Sequence, residues 1–125
     1  MGQPAVRTVL VVEDDEAINA LVSRILSEWG YEVRRAGDGA EALAAVLRDP
    51  PDLVLADVMM PNLNGIDLVA RLRERGVPVP VVLVSAYDRH RDLPGDVPFL
   101  TKPFTLTQFA DAVRLALGPD APVGE

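Results

Sequence analysis

Five side chains in this 125-residue chain are of types that do chemistry and stand where a fold would present them: Glu13, Asp14, Asp57, Ser85 and Lys102. Each follows directly on an apolar run: VLVV before Glu13-Asp14, LVLA before Asp57, VVLV before Ser85, and FLT before Lys102. The carboxyl end of a buried parallel strand is where open α/β sheets place their ligand crevice. By itself Asp57 reads as a nucleophile, as a metal ligand, or as a residue that ends a strand and bonds backbone N–H groups in a turn. The company it keeps favours the first two. Three carboxylates brought together repel one another and raise each other's pKa values unless a cation sits among them. Oxygen ligands without imidazole or thiolate suit Mg²⁺, which keeps several waters and takes one or two carboxylates plus phosphate oxygens. A hydroxyl (Ser85) and an ammonium (Lys102) nearby hold the remaining oxygens of a phosphoryl group. The expected chemistry is transfer of a phosphoryl to Asp57, with the metal and Lys102 neutralising oxygen charge in a largely dissociative step.

Alternating elements position these groups. Val6–Val12 is aliphatic and runs into an acidic turn, Glu13 to Glu16. From Ala17 onward Ile18, Leu21, Val22, Ile25, Leu26 and Trp29 recur at helical intervals, and Gly30 stops them. Trp29 reads as a packing residue. Glu32–Ala36 is a weaker strand of mixed polarity, which fits an edge. Gly37-Asp38-Gly39 is a turn, too short for a phosphate-cradling loop. Ala40–Leu47 is helical and Pro50-Pro51 ends it. Leu53–Ala56 is a strand buried on both faces. Pro61, Asn62, Asn64 and Gly65 then spell a loop.

Ile66, Leu68, Val69 and Leu72 give the next helix its apolar stripe, closed by Gly76 and Pro78. Val79–Val84 follows as a buried strand. Residues 86–98 are irregular, and His90 among charges reads as a solvated loop residue rather than a ligand. Val97–Thr101 is the last strand. Thr105 with Gln108 fits a capping box, and Leu106, Phe109, Ala110, Val113, Ala116 and Leu117 form the final apolar face. The tail PDAPVGE reads as frayed. Five strands alternating with helices through short connections imply right-handed crossovers and a parallel sheet covered on both faces. Residues 6–118 then form one domain, with 1–5 and 119–125 as tails.

Bulk properties narrow the function classes. The length suits one domain with a real core. There is no cysteine, so disulfides and thiolate metal sites are out. A net charge of −7 opposes the counterion release that drives nucleic-acid binding and does not favour anionic membranes. No apolar run has membrane-spanning length and the first residues lack a signal pattern, so a cytoplasmic protein is expected. The twelve basic residues are eleven Arg and one Lys. Wherever an ammonium is needed, Lys102 supplies it.

VLVVEDDE, PDLVLADVMMPNLNG, VVLVSA and FLTKPF, in that order and across nearly the whole chain, resemble the successive signatures of the receiver domain of bacterial two-component response regulators. The resemblance implies a flavodoxin-like, three-layer α/β fold with strand order 2-1-3-4-5. It implies phosphorylation of Asp57 by a histidine kinase or histidine phosphotransfer protein. Asp14 and Asp57 would bind Mg²⁺, Glu13 through water, with the Met59 carbonyl completing the protein ligands. Lys102 would pair with the phosphoryl and precede a cis peptide bond to Pro103. Ser85 would turn toward the acyl phosphate while Phe99 swings inward, the alternative for Phe99 being static core. The protein would catalyse only its own phosphorylation and dephosphorylation, as a monomer or weak dimer whose downstream partner the sequence does not name.

One departure stands out. Receivers carry a full fourth helix between the positions of Ser85 and Phe99, and here only thirteen residues, two of them proline, are available. The run Ser-Ala-Tyr followed by Leu93-Pro94 and PFLTKPF is similar to single-domain receivers with a shortened fourth helix. Tyr87 and Met59 are then expected to flank the phosphoryl and restrict attacking water. A Mg²⁺-dependent phosphatase with an Asp nucleophile is the rival from another class. Such enzymes usually use an Asp-x-Asp element, whereas Val58 and Met59 follow Asp57. A degenerate receiver acting only as an interaction module is disfavoured by the presence of every expected site residue.

Overall fold

The computed structural model describes residues 6–86 and 93–124. Its elements are β1 (Thr8–Val12), α1 (Glu16–Glu28), β2 (Glu32–Ala36), α2 (Gly39–Arg48), β3 (Leu53–Asp57), α3 (Gly65–Glu74), β4 (Val81–Ser85), β5 (Phe99–Thr101) and α4 (Leu106–Leu117). The five strands form one parallel sheet of order β2-β1-β3-β4-β5, as expected. β1, β3 and β4 are buried along their whole length, which is why their sequences are unbroken Val/Leu runs rather than alternations. β2 and β5 are the edges, and both expose residues.

Side chains from alternate strand positions feed two cores. Val9, Val11, Leu55, Val82 and Val84 pack with Val22 and Leu26 of α1 and Phe109 and Val113 of α4. Leu10, Val12, Val54, Ala56 and Leu83 pack with Ala42 and Val46 of α2 and Leu68, Val69 and Leu72 of α3. Trp29 packs as expected, its ring centroid 5.4 Å from that of Phe109. The Thr105–Gln108 capping box is formed in both directions.

Several boundaries differ from the sequence reading. β4 starts at Val81 and β5 at Phe99, two residues later than expected in each case. Pro80 and Pro98 offer carbonyls to Val54 and Leu83 but have no N–H to return, so the ladders begin after them. β1 starts at Thr8, and Val6 is exposed. Leu21 and Leu106, expected on apolar faces, are 59% and 58% exposed. The buried positions of α1 are Asn19, Val22, Ser23 and Leu26, so two polar residues occupy the face where Leu21 was expected.

The segment after Gly118 is not frayed. Gly118, at φ 108°, turns the chain, and Ala121 N–H donates to the Gly118 carbonyl at 3.1 Å. Ala121 is buried, Val123 packs on the first core, and Gly124 lies so close to Trp29 that a Cβ there would stand 2.9 Å from the indole nitrogen. Folding back is favourable because it covers the otherwise open end of the Trp29–Phe109 cluster. Between β4 and β5, residues 93–98 contain no helix. Tyr87, His90 and the rest of 87–92, six of the thirteen residues between Ser85 and Phe99, lie outside the described residues.

Candidate functional site

The site lies at the carboxyl edge of the sheet, where β1, β3, β4 and β5 each deliver one or two of the predicted groups. Glu13 and Asp14 follow β1, Asp57 ends β3, Ser85 ends β4, and Lys102 follows β5. Glu13, Asp57 and Ser85 are buried, whereas Asp14 faces solvent. Carboxylate oxygens of Glu13, Asp14 and Asp57 all lie within 4.8 Å of one another. The Lys102 ammonium donates to Glu13 Oε1 at 2.7 Å and to Asp57 Oδ2 at 2.6 Å. The Lys102–Pro103 peptide is cis, as the resemblance implies.

The acidic run Glu13 to Glu16 divides its work among four residues. Glu13 turns inward to Lys102. Asp15 caps α1 by accepting from Ile18 N–H at 3.0 Å, and its own N–H donates to Glu13 Oε2 at 3.2 Å. Glu16 pairs with Arg35 of β2. Asp14 brings its carboxylate to those of Glu13 and Asp57, and its exposure suits a cation arriving from water.

Burial pushes the Glu13 carboxyl above its usual range, the Lys102 ammonium and the Asp15 N–H only partly offset this, and the Asp57 charge adds to it. Burial works to lower the Lys102 pKa, but hydrogen bonds to Asp57 and Glu13 prevail and it lies above the ordinary lysine value. Among the described residues the pocket therefore holds one firmly charged ammonium and three carboxylates. It retains a demand for further positive charge, and its donor set of hard oxygens fits Mg²⁺.

The β3–α3 loop is fixed at both ends. Met59 N–H donates to Asp57 Oδ1 at 2.9 Å, while the Met59 side chain is exposed beside the site. Asn64 caps α3. Gly65 approaches so closely that a Cβ would lie 2.6 Å from the Asp57 carbonyl oxygen. Further along, Asn62 donates to Asp38 Oδ2 at 2.8 Å, tying this loop to the start of α2. Ser85 shares the edge through its main chain, its carbonyl accepting from Lys102 N–H at 2.7 Å. Phe99 is half-buried against the second core. Tyr87 lies outside the described residues.

Sequence reasoning missed Asn19. Its side chain is buried and donates to the Glu13, Ala36 and Val11 carbonyls at 3.1, 3.2 and 3.4 Å. A signal was present: Asp15, Asn19, Val22 and Leu26 share one helical face, so a polar residue was due to be buried beside the acidic turn.

The response regulator receiver domain model matches residues 9–114. This chain belongs to the response regulator receiver family. It is 37% identical over 121 residues to the probable transcriptional regulatory protein TcrX of Mycobacterium tuberculosis, covering 93% of this chain and 51% of TcrX. It is 38% identical over 114 residues to the response regulator MprA of Mycobacterium leprae, covering 87% and 50%. The receiver thus spans about half the length of the curated relatives it matches. Among solved structures it resembles the chemotaxis protein CheY4 of Vibrio cholerae, with a TM-score of 0.81 and 29% identity over 90% of this chain and 100% of that one. TrrA of Thermotoga maritima, solved in complex with Mg²⁺ and BeF, gives a TM-score of 0.79 and 28% identity over 87% and 97%. The receiver of the hybrid histidine kinase CckA gives 0.74 and 34% over 88% and 98%. Membership brings the phosphoacceptor role in two-component signalling. Among the described residues, no helix is long and apolar enough to cross a membrane.

Proposed function

We propose that Asp57 is the phosphoryl acceptor and that this receiver works as a cytoplasmic, Mg²⁺-dependent switch phosphorylated by a histidine kinase or histidine phosphotransfer protein. The observation that carries this reading is the single ammonium of Lys102 bridging Glu13 and Asp57 in a pocket that still has an excess of carboxylate. In the transfer, an Asp57 oxygen forms the new O–P bond as the N–P bond of the donor phosphohistidine breaks, and the imidazole departs with the electron pair. Asp14, Asp57, the Met59 carbonyl and, less directly, Glu13 would hold Mg²⁺, which would supply charge neutralisation for the phosphoryl oxygens.

This chain's residues do the rest. The Met59 N–H fixes the Asp57 carboxylate at one oxygen, leaving the other to Lys102 and to the incoming group. Lys102 exchanges one carboxylate partner for a phosphoryl oxygen, which keeps its charge compensated throughout. Ser85 and Phe99 are the switch pair: the hydroxyl turns to the acyl phosphate and the ring takes up the vacated space. The added charge then biases a partner-binding surface. The receiver turns over no substrate besides its own phosphoryl group and needs neither nucleic acid nor membrane, acting as a monomer or weak dimer. NMR with Mg²⁺ and beryllofluoride tests this. Shifts should centre on residues 13–15, 57–59, 85 and 102 and vanish in Asp57→Asn. Equal shifts in Asp57→Asn, or repeated turnover of a small phosphate ester instead of a halt at one equivalent, would remove it.

A further inference from the structure

The acid pair after β1 must be held in place by something, because a carboxylate cluster left to itself spreads apart. Glu13 and Asp14 lie beyond the last residue of β1; beside the ion pair of the Glu13 side chain with Lys102, the main chain of Glu13 ties them to the sheet. Its N–H donates to the Ala36 carbonyl at 3.1 Å, and its carbonyl accepts from Asn19 Nδ2 at 3.1 Å. The same nitrogen reaches the Ala36 carbonyl at 3.2 Å and the Val11 carbonyl at 3.4 Å. The ends of β1 and β2 and the acid-bearing turn therefore meet on one side-chain amide that is 3% exposed.

The other end of the amide is equally engaged. Asn19 Oδ1 accepts from Arg35 Nε at 2.7 Å and from Ser23 Oγ at 3.1 Å. These partners determine its orientation: three carbonyls require the NH₂ and a guanidinium N–H requires the oxygen, so a flipped amide would oppose like groups at both ends. Arg35 is pinned in turn by its ion pair with Glu16.

We propose that Asn19 is the positioning residue of the acid pair. Its buried amide, oriented by Arg35, holds the Glu13–Asp14 stretch where both carboxylates converge on Asp57. This rests on the reading of that cluster as a Mg²⁺ site and names what keeps the site assembled between cycles. Outer contacts that orient metal ligands typically matter about tenfold or more in affinity.

The test is Mg²⁺ titration of the full chain at about 0.15 M salt, near physiological ionic strength, followed by amide NMR at Asp14, Asp15 and Met59. Thermal midpoints are read in EDTA. In Asn19→Leu, which keeps the volume and removes the donors, the Mg²⁺ Kd should rise about tenfold. Should that variant fail to fold, Arg35→Met decides the matter, since Arg35 lies at the edge of the sheet and is partly exposed. Removing a positive charge near an acidic pocket would, by Coulomb's law alone, tighten Mg²⁺ binding. Positioning through Asn19 requires the opposite sign: a Kd raised about threefold (a second-shell effect smaller than the direct one), with the Asp14 and Asp15 amides shifted before any metal is added. An unchanged or lowered Kd in Arg35→Met overturns the inference. Absence of Mg²⁺ binding by the unmodified protein would instead overturn the function proposed above.

Discussion

The β1–β3 side of the sheet and the β5 side are built on different physics. Around Glu13, Asp57 and Lys102 the two buried carboxylates are held by directional hydrogen bonds from the ammonium and from the Asp15 and Met59 N–H groups, and glycines are packed against backbone. At Gly39 a Cβ would lie 1.9 Å from the Leu63 carbonyl oxygen, and at Gly65 it would lie 2.6 Å from that of Asp57. On the other side β5 has only three residues, one of them buried. A cleft of about 610 Å³, lined by Val69, Leu72, Val79, Val97, Pro98 and Leu115 among others, opens beside it, and among the described residues Gly95 has no atom within 4 Å of where a Cβ would stand. Leu115 is 76% exposed. Directional bonds fix geometry at the acidic edge, where a ligand has to be met by preplaced oxygens. Apolar contacts around β5 are less directional, so rearrangement costs less there.

Lys102→Met breaks the acidic side most severely. Two buried carboxylates lose their common ammonium, and stability in EDTA should fall by about 2 kcal/mol. Mg²⁺ should restore most of that loss, because the ion places positive charge among the same oxygens. A loss in denaturant midpoint that Mg²⁺ leaves untouched would mean that Lys102 serves packing rather than charge.

Glycine substitutions compare the two sides directly. Gly39→Ala should cost about 2 kcal/mol, since the methyl meets a carbonyl of a neighbouring loop that is itself clamped through Asn62 and Asp38. Gly95→Ala should stay within about 0.5 kcal/mol of the parent. Urea melts of the pair check both, and equal losses would dissolve the contrast.

Alkaline pH gives a smaller effect. The folded Lys102 pKa is raised above the ordinary 10.5, so its stabilising contribution is fully present below that value and is lost as pH rises through the raised one. Tyr31, whose hydroxyl is pushed up by burial, adds loss in the same direction, since the unfolded phenol ionises first. Melting curves of Lys102→Met should lack the lysine part of this decline, and those of Tyr31→Phe the tyrosine part. Tyr31→Phe itself should change stability at neutral pH by no more than about 1 kcal/mol, because the buried hydroxyl has no hydrogen-bond partner among the described residues.

The acidic side was the more legible in sequence, for a physical reason. A charged residue placed directly after an apolar run is conspicuous, and parallel strands bring all their carboxyl ends to one edge. Glu13, Asp14, Asp57, Ser85 and Lys102 could therefore be gathered without coordinates. The faces of α1 and α4 were less legible. Leu21 and Leu106 have helical spacing yet are exposed, and Asn19 is polar yet buried, so hydrophobicity misplaced the two leucines and passed over the asparagine. The tail was misread because PDAPVGE is polar and proline-rich, while Ala121 and Val123 answer to an apolar surface that exists only once α1 and α4 are packed.

Sequence alone determined the order of elements, the parallel sheet and the residues at its reactive edge, since burial pattern and turn residues are local properties of the chain. Tertiary structure decided which carboxylates share the ammonium, which amide holds the acid-bearing turn, and which glycines tolerate no side chain. Those are distances between segments far apart in sequence, and they are set only when both faces of the sheet have closed.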